Sequence, residues 1–175
     1  MSTDRIHRIA AALMVLGTLT SGSVFAADEA PRAAEPAIVQ RRVVVSIPDR
    51  KLAVIEDGEV AAVFAIAVGK PSTPSPVGTF TIVNRVTNPT YYKAGKVVGP
   101  GAANPVGTRW IGLSEKGYGI HGTDNPRSIG FAKSHGCIRL RNQDVEQLFE
   151  RVRTGDVVEL HADRTEEIAR LFGQP

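Results

Sequence analysis

From Arg42 onward the apolar residues arrive in short β-branched runs rather than at helical spacing. RVVVSI, from Arg42, and KLAVIEDGEVAAVFAIAV, from Lys51, are runs of this kind, and the Asp57-Gly58 pair inside the second predicts a tight hairpin. GTFTIVNRV from Gly78, RWIGL from Arg109 and the strand-like GYGI before His121 continue the pattern. A helical period emerges only later, where Val145, Leu148, Phe149 and Val152 fall at i, i+3, i+4 and i+7 behind Asn142, the expected N-cap. That helix is expected to pack on the sheet. A Thr154-Gly155-Asp156 turn then leads into VVEL, a last strand, followed by a short amphipathic segment around Ile168, Leu171 and Phe172. The pattern predicts a mainly β domain and contains no internal repeat.

Two segments depart from it. Ala30 to Ala37 is rich in Pro and Ala without a hydrophobic period and reads as a linker. Asn88 to Gly107, NPTYYKAGKVVGPGAANPVG, is long for a loop in a compact domain; Tyr91 and Tyr92 within it favour a flap over a site.

The N-terminus sets the expected compartment. Arg5 and Arg8 precede an apolar stretch from Ile9 to Leu19, and Val24-Phe25-Ala26 forms a small-residue cleavage site, the arrangement of a secretory signal peptide. The apolar run is shorter than the roughly 20 residues of a spanning helix, so no stable membrane anchor is expected. The mature chain would begin at Ala27 and be soluble in the periplasm. The expected organisation is a signal peptide over 1–26, a linker over 27–41, a catalytic domain over 42–162 and a short C-terminal helix over 163–175. With 175 residues, 42% of them hydrophobic, the chain can bury one sizeable core and hardly two. Losing Asp4, Arg5 and Arg8 with the leader takes +1 from the formal charge of +3. The remaining +2, with no basic residues interleaved with aromatics, does not suggest a nucleic-acid partner.

An exported chain with one cysteine cannot close an internal disulfide. Cys137 is therefore a buried thiol, an intermolecular cross-link or a reactive nucleophile. Its surroundings, HGTDNPRSIGFAKSHGCIRLRN from His121 to Asn142, hold two histidines able to take its proton. His135, two residues away, shares a face with the thiol in an extended segment but meets it poorly for linear proton transfer. His121, sixteen positions upstream, can face the thiol from a neighbouring strand. Gly122 and Gly136 leave backbone open for a substrate and for amide donors to an oxyanion, which points to acyl transfer.

HGT, sixteen positions from histidine to cysteine, and then SHGCIRL resemble the catalytic signature of the L,D-transpeptidase (YkuD-type) family. VGKPSTPSPVGTF upstream is similar to that family's Pro-rich turn into a strand, and the resemblance spans about Arg42 to Leu160. It implies a mixed β-sandwich with one helix packed after the catalytic cysteine, exported to act on peptidoglycan. Carried over, Cys137 is the nucleophile and His121 the base, with the Gly122 carbonyl orienting the imidazole. The resemblance leaves His135 to shape the pocket or help the acceptor, and makes the amides of Gly136 and Cys137 the oxyanion donors. Arg139 then holds the loop, meets a substrate carboxylate or forms a surface salt bridge, and Ser134 shapes the turn or borders the substrate. The implied partners are peptidoglycan stem peptides, with a second stem, a cell-wall lipoprotein or a free amino acid as acyl acceptor. No cofactor or metal is implied, since His121, His135 and Cys137 lack a carboxylate or fourth ligand at matching spacing.

The nearest alternative is an L,D-carboxypeptidase, in which water resolves the same thioester. Papain-like and NlpC-like endopeptidases place cysteine before histidine, the reverse of this chain, and sortases set the histidine much farther upstream. A non-catalytic wall-binding protein would not need every catalytic position filled, as it is here.

Overall fold

The computed structural model describes residues 40–93 and 95–173. The expected signal peptide and all of the expected linker except Gln40 and Arg41 lie outside the described residues. Arg41 already belongs to the first strand.

The described elements are β1 (Arg41–Ser46), β2 (Lys51–Glu56), β3 (Glu59–Ala65), β4 (Val68–Gly69) and β5 (Gly78–Thr87). A small hairpin of β6 (Tyr91–Lys93) and β7 (Lys96–Val98) follows, then β8 (Arg109–Leu113), β9 (Gly119–His121), β10 (Ala132–Ser134) and β11 (Ile138–Arg139). The chain ends with α1 (Asn142–Arg151), β12 (Val157–His161) and α2 (Glu166–Phe172). Asp57 at φ 50° and Gly58 at φ 87° make the two-residue turn between β2 and β3, because a primed turn matches the twist of the strands it joins.

Eight strands form one mixed sheet in the order β11-β9-β8-β5-β12-β1-β2-β3. Parallel pairs occur at β1/β12 and β9/β11. The ten-residue β5 belongs to both wings of the sheet. Its first residues pair with β12, those from Ile82 onward pair with β8, and the register shifts between Ile82 and Asn84. Such irregularities bend a strand and increase its twist. The sheet curls there, so Val43, Val45, Leu52 and Val54 of one wing enclose a single core with Ile111, Leu113, Ile120 and Ile138 of the other.

The expected helix is α1, and its stripe of Val145, Leu148 and Val152 is fully buried in that core, with Phe149 partly buried beside it. Its expected cap needs correction: the N-cap position is Arg141, with no side-chain cap bond, and Asn142 is the first helical residue with its amide turned elsewhere. The amphipathic C-terminal segment is α2, whose Ile168 and Phe172 cover Val44, Ala53 and Ile55. β1 reads as an unbroken apolar run because both of its faces are covered: Val43 and Val45 face the main core and Val44 faces α2. No helix among the described residues is long and apolar enough to cross a membrane.

Candidate active site

Strand register brings the chemistry together. On β8, β9 and β11, Ile111, Ile120 and Ile138 stand opposite one another and point into the core. One residue along, Trp110 pairs with His121 and His121 pairs with Arg139. Alternation turns that row to the opposite face, and Cys137, two residues before Arg139, joins it. Trp110, His121, Cys137 and Arg139 all border one cavity of about 750 Å3.

His121 is buried, 4% exposed, and its Nδ1 lies 2.5 Å from the carbonyl oxygen of Gly122. A carbonyl can only accept, so Nδ1 carries the proton and Nε2 keeps its lone pair. Burial holds the imidazole down to about 4, a shift that the Gly122 bond partly offsets and the Arg139 charge reinforces. The ring is therefore neutral at neutral pH. The Cys137 thiol is half-buried and lies 3.7 Å from the Gly117 carbonyl, to which it donates. Burial pushes the thiol up, against the opposing pull of a Gly119 backbone bond and the Arg139 charge. The thiol and the imidazole border the same cavity, and burial favours the uncharged form of both.

The turn before Cys137 is fixed by Ser134, which is fully buried. Its hydroxyl donates to the Cys137 carbonyl at 2.6 Å and accepts from the Gly136 amide at 3.0 Å. The Gly136 N–H, expected to face an oxyanion, is bonded to the Ser134 hydroxyl instead. Gly136 sits at φ 113°, and a Cβ there would lie 2.6 Å from the Tyr118 ring, so both conformation and space require glycine. This left-handed residue also interrupts the extended run between His135 and Cys137. The period-two argument for His135 beside the thiol does not carry across it, although His135, exposed, still borders the cavity. Lys70, Lys93 and, more weakly, Arg139 lower its proton affinity.

Arg139 forms no salt bridge among the described residues, and its Nε is buried without a hydrogen-bond partner. The surface salt-bridge reading falls away, leaving a half-buried cation facing the cavity. Lys93, His135 and Arg139 border that cavity and no carboxylate does.

The Asn88–Gly107 segment contributes Tyr91, half-buried, and Tyr92, 74% exposed, to the cavity wall. Its two ends are stapled by Asn104, a fully buried residue that the sequence reading passed over. The Asn104 amide donates to the carbonyls of Pro89 at 2.7 Å and Gly99 at 3.1 Å, and its oxygen accepts from Val106 N at 2.9 Å. Trp110, Tyr118, Lys93 and Asn142 were also not singled out as site residues. For Trp110 a signal existed: in RWIGL it alternates with the core-facing Ile111, and a residue out of phase with the core lies on the other face.

The family model for the L,D-transpeptidase catalytic domain (YkuD) matches residues 40–160. The chain is 40% identical over 134 residues to a putative L,D-transpeptidase, YqjB, of Bacillus subtilis, covering 73% of this chain and 76% of that protein. It is 32% identical over 141 residues to a probable L,D-transpeptidase, ErfK/SrfK, of Escherichia coli, covering 71% of this chain and 45% of the relative. Among solved structures, it resembles the catalytic domain of an Enterococcus faecium L,D-transpeptidase with a TM-score of 0.58 and 28% identity, over 71% of this chain and 99% of that domain. A Mycobacterium tuberculosis L,D-transpeptidase shares the fold at a TM-score of 0.61 and 23% identity, over 70% of this chain and 58% of that one. The curled sheet and these matches agree that the chain belongs to the L,D-transpeptidase catalytic-domain family and is an enzyme of that class.

Proposed function

We propose that this chain is an exported L,D-transpeptidase that forms a thioester between Cys137 and a peptidoglycan tetrapeptide stem, releases D-alanine, and passes the acyl group to an amine. The observation that carries the reading is the neutral His121 imidazole, anchored through Nδ1 at 2.5 Å to Gly122, bordering the same cavity as the only cysteine of the chain. Nε2 takes the thiol proton as Sγ attacks the carbonyl of the third stem residue. The carbonyl oxygen gains negative charge and the Cys137 amide is the donor available to it. When the C–N bond to D-alanine breaks, His121 returns the proton to the departing amine. An incoming amine then attacks the thioester and the thiol is regenerated.

The cationic rim suits this substrate. Lys93 and Arg139 with no opposing carboxylate favour a peptide bearing free carboxylates. The leader read over residues 1–26 supports delivery to the periplasm, with the chain beginning at Ala27 and a second stem, a lipoprotein or a free amino acid as acceptor. N-terminal sequencing of the exported protein is expected to start at Ala27. The deciding experiment is incubation of purified protein with defined tetrapeptide stems and weighing of the products. A mass on Cys137 equal to the stem without D-alanine, together with cross-linked dimer, is expected. Tripeptide as the sole product, even with abundant acceptor, would reassign the chain as a carboxypeptidase.

A further inference from the structure

Asn142 stands at the first turn of α1, where a side chain of its type ordinarily caps the helix. It does not. Its Oδ1 instead accepts from two backbone amides outside the helix, Thr123 N at 3.1 Å and Thr108 N at 3.3 Å. Both partners are donors, so the amide oxygen must be the atom facing them. The first of these amides belongs to the peptide unit whose carbonyl is Gly122 O, the acceptor for His121 Nδ1. A continuous chain therefore runs from the imidazole N–H to the Gly122 carbonyl, through that peptide plane to the Thr123 N–H, and on to Asn142 Oδ1. The backbone is cut to fit it: a Cβ on either Gly107 or Gly122 would run into Asn142 Oδ1.

We propose that Asn142 is a positioning residue for the base: it fixes the orientation of the Gly122–Thr123 peptide and thereby holds His121 in the Nδ1–H form with Nε2 free. Hydrogen bonds in series polarise one another, so an acceptor on Thr123 N–H strengthens the Gly122 carbonyl as an acceptor. The anchor is rigid because Val145 and Leu148, one and two turns along α1, are fully buried. The second bond, to Thr108, ties the same amide to the point where the Asn88–Gly107 flap rejoins the sheet at β8. The catalytic part of this inference rests on His121 acting as base toward Cys137.

The charged and titratable side chains bordering the His121 site are Cys137 and Arg139 at β11, His135 before it, and Lys93, Tyr91 and Tyr92 of the flap; β8 offers only the indole of Trp110. No carboxylate borders the cavity, so a carboxylate at position 142 adds a negative charge on the Gly122–Thr123 side of the imidazole, which makes Asn142→Asp informative beside Asn142→Ala. The tautomer of His121 is read directly by 15N NMR of the imidazole, and acylation of Cys137 by a tetrapeptide is read by mass across pH. Wild type is expected to show one tautomer protonated at Nδ1. Asn142→Ala should lose that single form and slow acylation by about 10- to 100-fold, the scale on which small misplacements act. Asn142→Asp keeps an acceptor, so it should keep the tautomer, recover most of the rate, and move the acid limb of the profile to higher pH.

A wild-type tautomer and rate in Asn142→Ala would overturn the proposal. So would an Asn142→Asp protein as impaired as Asn142→Ala, because shape rather than an acceptor would then be what counts. Should Asn142→Ala fail to fold, an unmoved acid limb in Asn142→Asp overturns it instead. Failure of wild type to be acylated at all would count against the transpeptidase reading, while the NMR comparison would still decide the role of Asn142.

Discussion

Trp110 and His121, cross-strand partners on β8 and β9, lie stacked with ring centroids 5.5 Å apart and planes 19° from parallel. The indole closes one face of the imidazole to water. That closure is part of the burial that holds His121 down to about 4, where charging the ring would mean placing a cation in a dry, already cationic site.

The consequence for stability follows from the sign of the shift. Between the ordinary value of 6.5 and about 4, the unfolded chain binds a proton at this position and the folded chain does not. Stability therefore rises with pH across that window and is lost on acidification, by up to about 3 kcal/mol from this group alone. Urea unfolding of wild type and His121→Gln at pH 6.5 and 4.5 measures it. The variant should lose less stability than wild type on acidification, and an equal loss in both would contradict the assignment. Trp110→Ala, by wetting the ring, should carry the acid limb of the acylation profile from near pH 4 toward 6.5.

The two histidines that precede Cys137 are expected to separate by mutation. His121 is buried and anchored, whereas His135 is exposed beyond the Gly136 turn. His121→Ala should reduce acylation of Cys137 by about 10²- to 10⁴-fold, the usual contribution of a general base. His135→Ala should retain a readily measured fraction. Single-turnover acylation followed by mass distinguishes them, and comparable losses would contradict the ranking.

Most of this arrangement was legible along the chain. The strands β1, β2, β3, β5, β8, β9 and β12, the Asp57-Gly58 hairpin, both helices and the pairing of His121 with Cys137 in one motif depend on local chemistry or on a short spacing, and both survive in one dimension, whereas the β6–β7 hairpin inside the Asn88–Gly107 loop and the short β4, β10 and β11 leave no such signal. What could not be read depends on register and on long-range hydrogen bonds. Nothing local says that β5 serves two wings of the sheet, or that Trp110 stands opposite His121. Asn142 illustrates the limit: its type and place before an apolar period are those of a cap, yet two backbone amides 19 and 34 residues away claim its oxygen. The Gly136 amide was likewise open to an oxyanion in the sequence, and only the fold brings the Ser134 hydroxyl to it.

That hydroxyl leads to the next expectation. Ser134→Ala would strip the Gly136 N–H and the Cys137 carbonyl of their shared partner inside a closed turn. Leaving buried polar groups unpaired costs about 1–3 kcal/mol. A fall in thermal stability of that order is expected, together with slower acylation as the nucleophile's turn loosens. Ser134→Thr, which restores a hydroxyl, should recover part of both. Wild-type stability in Ser134→Ala would mean that the turn is held by other contacts, such as the bonds from Lys70 N and Thr73 Oγ1 to the Ser134 carbonyl.

Water at tens of molar competes with any amine for a thioester, so a transferase has to keep the acyl group dry and the acceptor positioned. The flap is the part of the cavity wall suited to this, with Tyr91 and Tyr92 on the β6–β7 hairpin, and its geometry depends on one side chain. Asn104 holds the Pro89 and Gly99 carbonyls and the Val106 amide together at the flap's base. Asn104→Ala should release the hairpin without touching the row of Trp110, His121, Cys137 and Arg139, which is built on β8, β9 and β11. Thioester formation should then be nearly unchanged while hydrolysis gains on transfer. The quantity to follow is the ratio of tripeptide to cross-linked dimer from a tetrapeptide, at fixed acceptor concentration, in wild type and variant. A severalfold rise in that ratio is expected. An unchanged ratio with normal acylation would mean that the flap neither excludes water nor places the amine, and selectivity would then have to come from the cations of the rim, Lys93 and Arg139.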